Sequence, residues 1–509
     1  MNSPQANALR YQEHDPYALR LPTELLIAIV DQVEADEDLL TLAITSRQLH
    51  ALSLHRYFTN YDFDPNSTEI EIHSFNESRY VLRALALSLD VVGRSIERLS
   101  YDCGYSQDPE QMTREVQLLT EYISKLASVR RASLRIALNS NGNVKKRRDA
   151  YIVLLNTILE KRCSDIRVLA SQFAPTTYES KDMPRHTKPR EWVKDYWPVH
   201  HNPPRTQHLT SCLIQSFPRF LRPFYSHTLS INSTCITELT FKNVFGGGAD
   251  WSTMLAHLRF PRLHRLTVTY GVIPRDPFIK FLTKHPNILS YFEYHHIRYE
   301  PHPKNPVRRV ALETIFKDSL ETLTTSSEHI NNFFPSFAVF SHLTDITINI
   351  EEHISIFSSL EGALTQLAAC VNKITLTLAI SGTGLGFSSW FMKVFAPETW
   401  TSASARPETK LHCVETLIMD NGNWGFAGAL ILTHLPRWIV LFPELRALTL
   451  RSSQRSYIPV QNFSNDDNDG SEGGRRPGDI TAVLKDTCPG LYVECITREF
   501  SSRVFTFDQ

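Results

Sequence analysis

The chain has 509 residues, with 53 Lys and Arg against 54 Asp and Glu. That length suits several domains or one long repeat array, and the even charge balance argues against a protein whose main work is gripping nucleic acid. A hydrophobic share of 42% excludes an intrinsically disordered chain, and 8 cysteines with no C-x-x-C pair exclude a disulfide scaffold.

Residues 1–18 are polar and read as a disordered tail, with no apolar run of a signal peptide. No segment approaches the roughly 18 apolar residues of a membrane helix. An intracellular location, cytoplasmic or nuclear, is the expectation.

The first structured block spans residues 19–60. Pro22 suits the first position of a helix, where its missing N–H costs nothing. Leu25, Leu26, Ile29, Val30 and Val33 then recur at helical spacing. Asp36 reads as the N-cap of a second helix bearing Leu39, Leu40, Leu42 and Ala43. Thr45 and Gln48 form a T-x-x-Q capping box for a third, bearing Leu49 and Leu52. Three short helices make a marginal core that needs a larger body or a partner.

This block resembles the F-box. The residues that carry the likeness are Leu21-Pro22-Thr23-Glu24-Leu25-Leu26, Ile29, Asp38-Leu39-Leu40 and Thr45-Ser46-Arg47-Gln48-Leu49. The Trp common after the third helix is replaced by His55-Arg56-Tyr57-Phe58. The resemblance implies docking on the Skp-type adaptor of a cullin ubiquitin ligase, with Leu21, Pro22, Leu25, Leu26, Ile29, Leu39 and Leu40 as the adaptor-binding residues.

Residues 61–509 repeat. An apolar-x-x-apolar-x-apolar strand template recurs as Ile96/Leu99/Tyr101, Cys163/Ile166/Val168, Ile236/Leu239/Phe241 and Leu263/Leu266/Val268. It returns as Leu343/Ile346/Ile348, Val371/Ile374/Leu376, Val414/Leu417/Met419, Leu445/Leu448/Leu450 and Cys488/Leu491/Val493, with weaker copies from Arg131, Leu289 and Leu320. Helical patterns such as Phe278/Phe281/Leu282 lie between, and inserts at about 175–208, 380–412 and 451–480 break the period. The site between the last two apolar residues is Thr in five copies: Thr240, Thr267, Thr347, Thr375 and Thr449. Such alternation predicts a sheet packed on helices by one face and open to solvent on the other. A closed barrel instead buries both faces of its strands.

This region is similar to the divergent leucine-rich repeats of fungal F-box proteins, although the Asn that usually follows the strand is mostly absent. The expected fold class is therefore α/β, a three-helix F-box-like module followed by an irregular strand–helix solenoid. The resemblance implies a non-catalytic substrate receptor of a Skp–cullin–F-box ubiquitin ligase. Its solenoid would bind a protein substrate through Thr267, Thr347, Thr375, Thr449 and Arg451. The alternatives are a solenoid scaffold capped by F-box-like helices, and a barrel enzyme with carboxylates or His gathered at the C-terminal ends of its strands.

No cofactor or metal is expected. The acidic run 465–470 lacks the closing Glu of a calcium loop, and the adjacent His295 and His296 point to opposite faces of a strand. Lys145-Lys146-Arg147-Arg148 reads as a solvated loop. The aromatic-rich insert at 175–208 reads as packing on the solenoid edge, the alternative being a loop that contributes to partner binding. Cys163 and Cys488, on apolar repeat positions, read as buried filler.

Overall fold

A computed structural model of the chain describes residues 21–73, 78–103, 109–137, 144–171, 207–215, 222–245, 255, 258–273, 275–285, 289–298, 312–350, 357–380, 410–421, 435, 438–452 and 490–497. The expected tail lies outside these residues, as do nearly all of the three inserts, the 465–470 run and Cys488. The chain forms two compact units, Met1–Cys163 and Ser164–Gln509. Each is α/β, with parallel strands paired in sequence order. Among the described residues no pairing closes the strands of either unit into a ring.

The first unit opens with three helices, α1 (Thr23–Asp31), α2 (Asp36–Ala43) and α3 (Arg47–Asn60). Their starts correct the expected caps by one residue. Pro22 is the N-cap of α1, and its carbonyl accepts from the Leu25 and Leu26 amides at 3.1 and 3.2 Å. Ala35 caps α2, which frees the Asp36 carboxylate to accept from the Tyr61 hydroxyl. Ser46, in extended conformation, caps α3 by accepting from the Leu49 amide at 3.2 Å, while the Thr45 hydroxyl donates to the Leu42 carbonyl. Leu26, Val30, Leu39, Leu40, Ala43, Leu54, Tyr57 and Phe58 fill the core of these helices.

Three strand–helix pairs follow: β1 (Glu69–His73), α4 (Ser78–Leu87), β2 (Ser95–Asp102), α5 (Pro109–Lys125), β3 (Ser128–Ala137) and α6 (Val144–Glu160). Lysines tie each helix end to the next repeat. Lys125 donates to the Ala86 and Ser88 carbonyls at the end of α4, and Lys161 to the Ser124 and Leu126 carbonyls at the end of α5, both at 2.6 Å. Helix C-termini leave such carbonyls without partners and favour cations. The basic run Lys145–Arg148 is not a loop but the first turns of α6. Tyr151, Ile152, Leu155, Ile158 and Leu159 give that helix a buried face, and Arg148 is itself buried against Asp149.

The second unit contains β4 (Asp165–Ser171), β5 (Ser211–Gln215), α7 (Arg222–Ile231), β6 (Glu238–Phe245), β7 (Arg265–Val272), α8 (Arg275–Leu282), β8 (Tyr291–Arg298) and the single turn α9 (Glu313–Phe316). It continues with β9 (Thr322–Ser326), α10 (Ser327–Phe333), β10 (Asp345–Ile350), α11 (Phe357–Leu367), β11 (Ile374–Ile380), β12 (Val414–Asn421), β13 (Ala447–Ser452) and β14 (Tyr492–Thr497). One sheet face packs on the helices through aromatic rings. Phe278 stacks on Tyr294 at 5.0 Å, and Phe292 meets Phe316 at 5.2 Å.

A backbone device repeats at the strand starts. The Thr210 carbonyl accepts two amides of the next strand start, Thr237 at 2.8 Å and Glu238 at 3.0 Å. Thr237 does the same for His264 and Arg265, His264 for Ser290 and Tyr291, Ser290 for Glu321 and Thr322, and Glu321 for Thr344 and Asp345. These forked bonds stitch repeat to repeat at the entry of each strand.

Candidate functional site

Two surfaces have the character of a binding site, one in each unit. The first is the outer side of the N-terminal helices. Leu25 and Ile29 stand one turn apart on α1, and Leu25 is 52% exposed while its neighbour Leu26 is 7% exposed. Leu21, Ile27 and Ile44 are also exposed. Of the seven expected adaptor-binding residues, Leu21, Pro22, Leu25 and Ile29 lie at the surface. Leu26, Leu39 and Leu40 do not: they are core side chains of the module. The α2 helix must spend its Leu pair on internal packing because three short helices have little else to bury. Ile44, which follows α2, is an exposed apolar residue that the spacing argument left out.

The second surface is the sheet face of the second unit opposite the aromatic core. Strand pairing sets Thr240, Thr267, Glu293, Thr324, Thr347 and Thr377 side by side in one row. The row continues through Ile418 to Thr449. Thr375 is not in it; it sits one step earlier, opposite Asp345 and Thr416, beside a register shift between β11 and β12. Arg451 is opposite Asp420, one step beyond Thr449. The expected openness to solvent is only partial. Thr267 and Thr449 are buried, and Thr347, Thr375 and Arg451 are half-buried.

Glu293 organises this face. Its carboxylate accepts from the Thr267 hydroxyl at 3.2 Å, the Tyr291 hydroxyl at 3.1 Å and His295 Nε2 at 2.9 Å. Burial raises the Glu293 carboxyl, but the bonds from His295, Tyr291 and Thr267 outweigh it and hold the group below the usual carboxylate range. Tyr291 is pushed up by burial and by Glu293, and the Arg265 guanidinium lies 3.7 Å from its ring centroid. Tyr270 adds an exposed ring edge-on to His295 at 5.8 Å, on a backbone with φ 53°. A left-handed aromatic residue is uncommon and strained. Beside it the buried Thr269 hydroxyl has no hydrogen-bond partner.

The grouping of Glu293, His295, Tyr270 and Arg265 is absent from the sequence-based expectations. These residues lie on two strands 26 positions apart, as the Thr267–Glu293 pairing records, and no local motif joins them. Ser326 and His329 also come together, Oγ to Nδ1 at 2.7 Å, but both are buried and His329 is packed against Tyr294 and Phe333. Among the described residues there is no group of three or more His, Cys, Asp or Glu arranged for a metal ion. Nor is any helix among them long and apolar enough to cross a membrane. Compared with protein-family models and with curated proteins, the chain matches none.

Proposed function

We propose that the chain is a substrate receptor of a Skp–cullin–F-box ubiquitin ligase. The helical module docks on the Skp-type adaptor through Leu21, Pro22, Leu25 and Ile29. The polar sheet face of the second unit binds a protein substrate around Arg265, Tyr270 and Tyr291. The observation that carries this reading is the exposed apolar side of α1, on a module whose own core is already filled. Unburied apolar surface of this kind is what a partner groove covers. The F-box-like residues at Leu21–Leu26, Asp38–Leu40 and Thr45–Leu49 give that partner its identity.

The test is capture of purified Skp-type adaptor by the full chain. The Leu25→Asp, Ile29→Asp variant should keep its circular dichroism and lose capture. Capture equal to that of the unaltered chain, by a variant that remains folded, removes the ligase reading.

A second reading has its own support. Tyr57 donates to the Tyr80 carbonyl at 3.2 Å, and Arg83 pairs with Glu37. These bonds fasten the three helices to α4, as a structural cap of a scaffold would be fastened. Under that reading the chain captures no adaptor, and removing residues 1–60 exposes the β1 repeat and destabilises the first unit.

A further inference from the structure

Cys163 and Cys488 sit on apolar repeat positions. One pair in the second unit has a different geometry. Cys370 follows α11, and Cys413 immediately precedes β12, one repeat later. The Leu367 carbonyl at the end of α11 accepts the Cys370 amide at 2.8 Å and the Cys413 thiol at 3.3 Å. The Cys413 carbonyl in turn accepts the Ile374 amide at 2.7 Å. The backbone of two adjacent repeats therefore brings both cysteines to a single carbonyl. Both are free thiols, and both are buried. Val371, next to Cys370, is 76% exposed, so the turn that carries Cys370 lies at the surface.

We propose that Cys370 and Cys413 are an oxidisable dithiol, which peroxide joins into a disulfide between neighbouring repeats. This inference is independent of the adaptor reading.

The chemistry assigns unlike roles to the two sulfurs. The Cys370 thiol donates to the Asn372 carbonyl at 3.8 Å, and Cys413 has one thiol proton, which the Leu367 carbonyl accepts. When it turns to Cys370 it stabilises the thiolate there. The Cys370 thiol is accordingly held below its ordinary value by the Cys413 hydrogen bond, and the Cys413 thiol is raised by the same bond and by burial. The thiolate is the nucleophile toward peroxide. Cys370 attacks one oxygen of hydrogen peroxide, the O–O bond breaks, and the departing hydroxide is protonated to water, leaving a sulfenic acid. The Cys413 sulfur then attacks that sulfur. The S–O bond breaks, and hydroxide leaves with the Cys413 proton as a second water. Two thiols lose two electrons, and one peroxide is reduced to two waters. The new bond clamps both ends of the segment 371–412.

The full-length protein is treated with limiting hydrogen peroxide, its remaining thiols are alkylated, and the non-reduced digest is mapped by mass spectrometry. The expected product is a peptide pair joining Cys370 to Cys413, lighter by two hydrogens and reversed by dithiothreitol. Cys370→Ser and Cys413→Ser should each abolish it, and Cys413→Ser should leave a sulfenic acid on Cys370 that dimedone traps. Cys370→Ala serves if the serine variant fails to fold. Cys235, the more exposed thiol, is the internal comparison. If Cys370 and Cys413 remain fully alkylatable while Cys235 oxidises, the proposal is overturned. It is equally overturned if Cys370 pairs with another cysteine in the folded protein.

Discussion

The His50 imidazole, buried in α3, accepts from the Leu89 amide just past α4 at 3.3 Å. Because that amide can only donate, Nε2 is the bare nitrogen and Nδ1 carries the proton. Nδ1 then donates to the Ala43 carbonyl at 2.7 Å, closing the end of α2. One ring thus joins α2, α3 and the first strand–helix repeat. His50→Ala leaves a buried donor and a buried acceptor without partners and should cost about 1–3 kcal/mol. Urea unfolding of the chain checks this, and an unchanged midpoint would rule out the linking role of the ring.

Leu25 and Leu26 should respond in opposite ways to truncation. Leu26→Ala opens a cavity in a small core and should cost about 2–5 kcal/mol. Leu25→Ala, at the surface, should lie within about 0.5 kcal/mol of the parent. Thermal unfolding followed by far-UV circular dichroism separates the two. Equal losses would mean that the α1 face assignment is wrong.

Stability should fall on mild acidification because of His285. The ring is stacked on Phe260 and tilted against Phe281, and its Nε2 accepts from the Phe260 amide at 2.8 Å. Burial, with lesser contributions from Lys284 and Arg259, holds it below its ordinary value, against the Phe281 carbonyl bond that raises it. A depressed histidine is neutral when folded and takes up its proton on unfolding. Its contribution is intact above the unfolded value of about 6.5 and is eroded as pH falls from there toward the lower folded value. Urea midpoints at pH 7.5 and 5.5 should differ for the parent and differ less for His285→Gln. A difference of the same size in the variant assigns the effect to other groups.

Tyr270 stores backbone strain that glycine would release. Tyr270→Gly should leave stability unchanged or raise it by up to about 1 kcal/mol, less whatever the contact with His295 contributes. Tyr270→Val should cost about 1–3 kcal/mol, because a branched side chain tolerates φ 53° poorly. If binding of a protein substrate is found, the glycine variant should weaken it without loss of fold, which would give the strained ring its purpose. Chemical unfolding of both variants, set beside their affinity, reads the two effects separately.

The strand template was legible in several copies. Ile96/Leu99/Tyr101 and Leu263/Leu266/Val268 are all buried as the spacing demands. It slipped where one site is small or the next is equally apolar. The copy counted from Arg131 is Val129/Ala132/Leu134 in the structure, two residues earlier on the same face, because Ala132 is a weak marker and Ile136 a strong one. Leu209/Cys212/Ile214 went unseen beside the insert, although it forms β5 and is fully buried. Val371 was counted as a core site, yet the chain turns there and buries Cys370 instead. The Thr row was visible as a pattern, but its register was not. Which Thr stands beside which depends on where each strand starts, and that follows from loop geometry rather than from side-chain periodicity. The Glu293 cluster was hidden for the same reason.

The forked carbonyl bonds at the strand starts are made by main-chain atoms, and the Thr237, Ser290 and Thr344 hydroxyls add a bond to three of the carbonyls. Thr210, Thr237, His264, Ser290 and Glu321 all accept through the backbone carbonyl, whatever their side chains. A seam of this kind sets the pitch of the stack chiefly through the backbone, so it tolerates more than one side chain at each accepting position. Such a protein can accumulate substitutions and lengthen its loops, lose the written signature of its repeats, and still stack them at the same spacing.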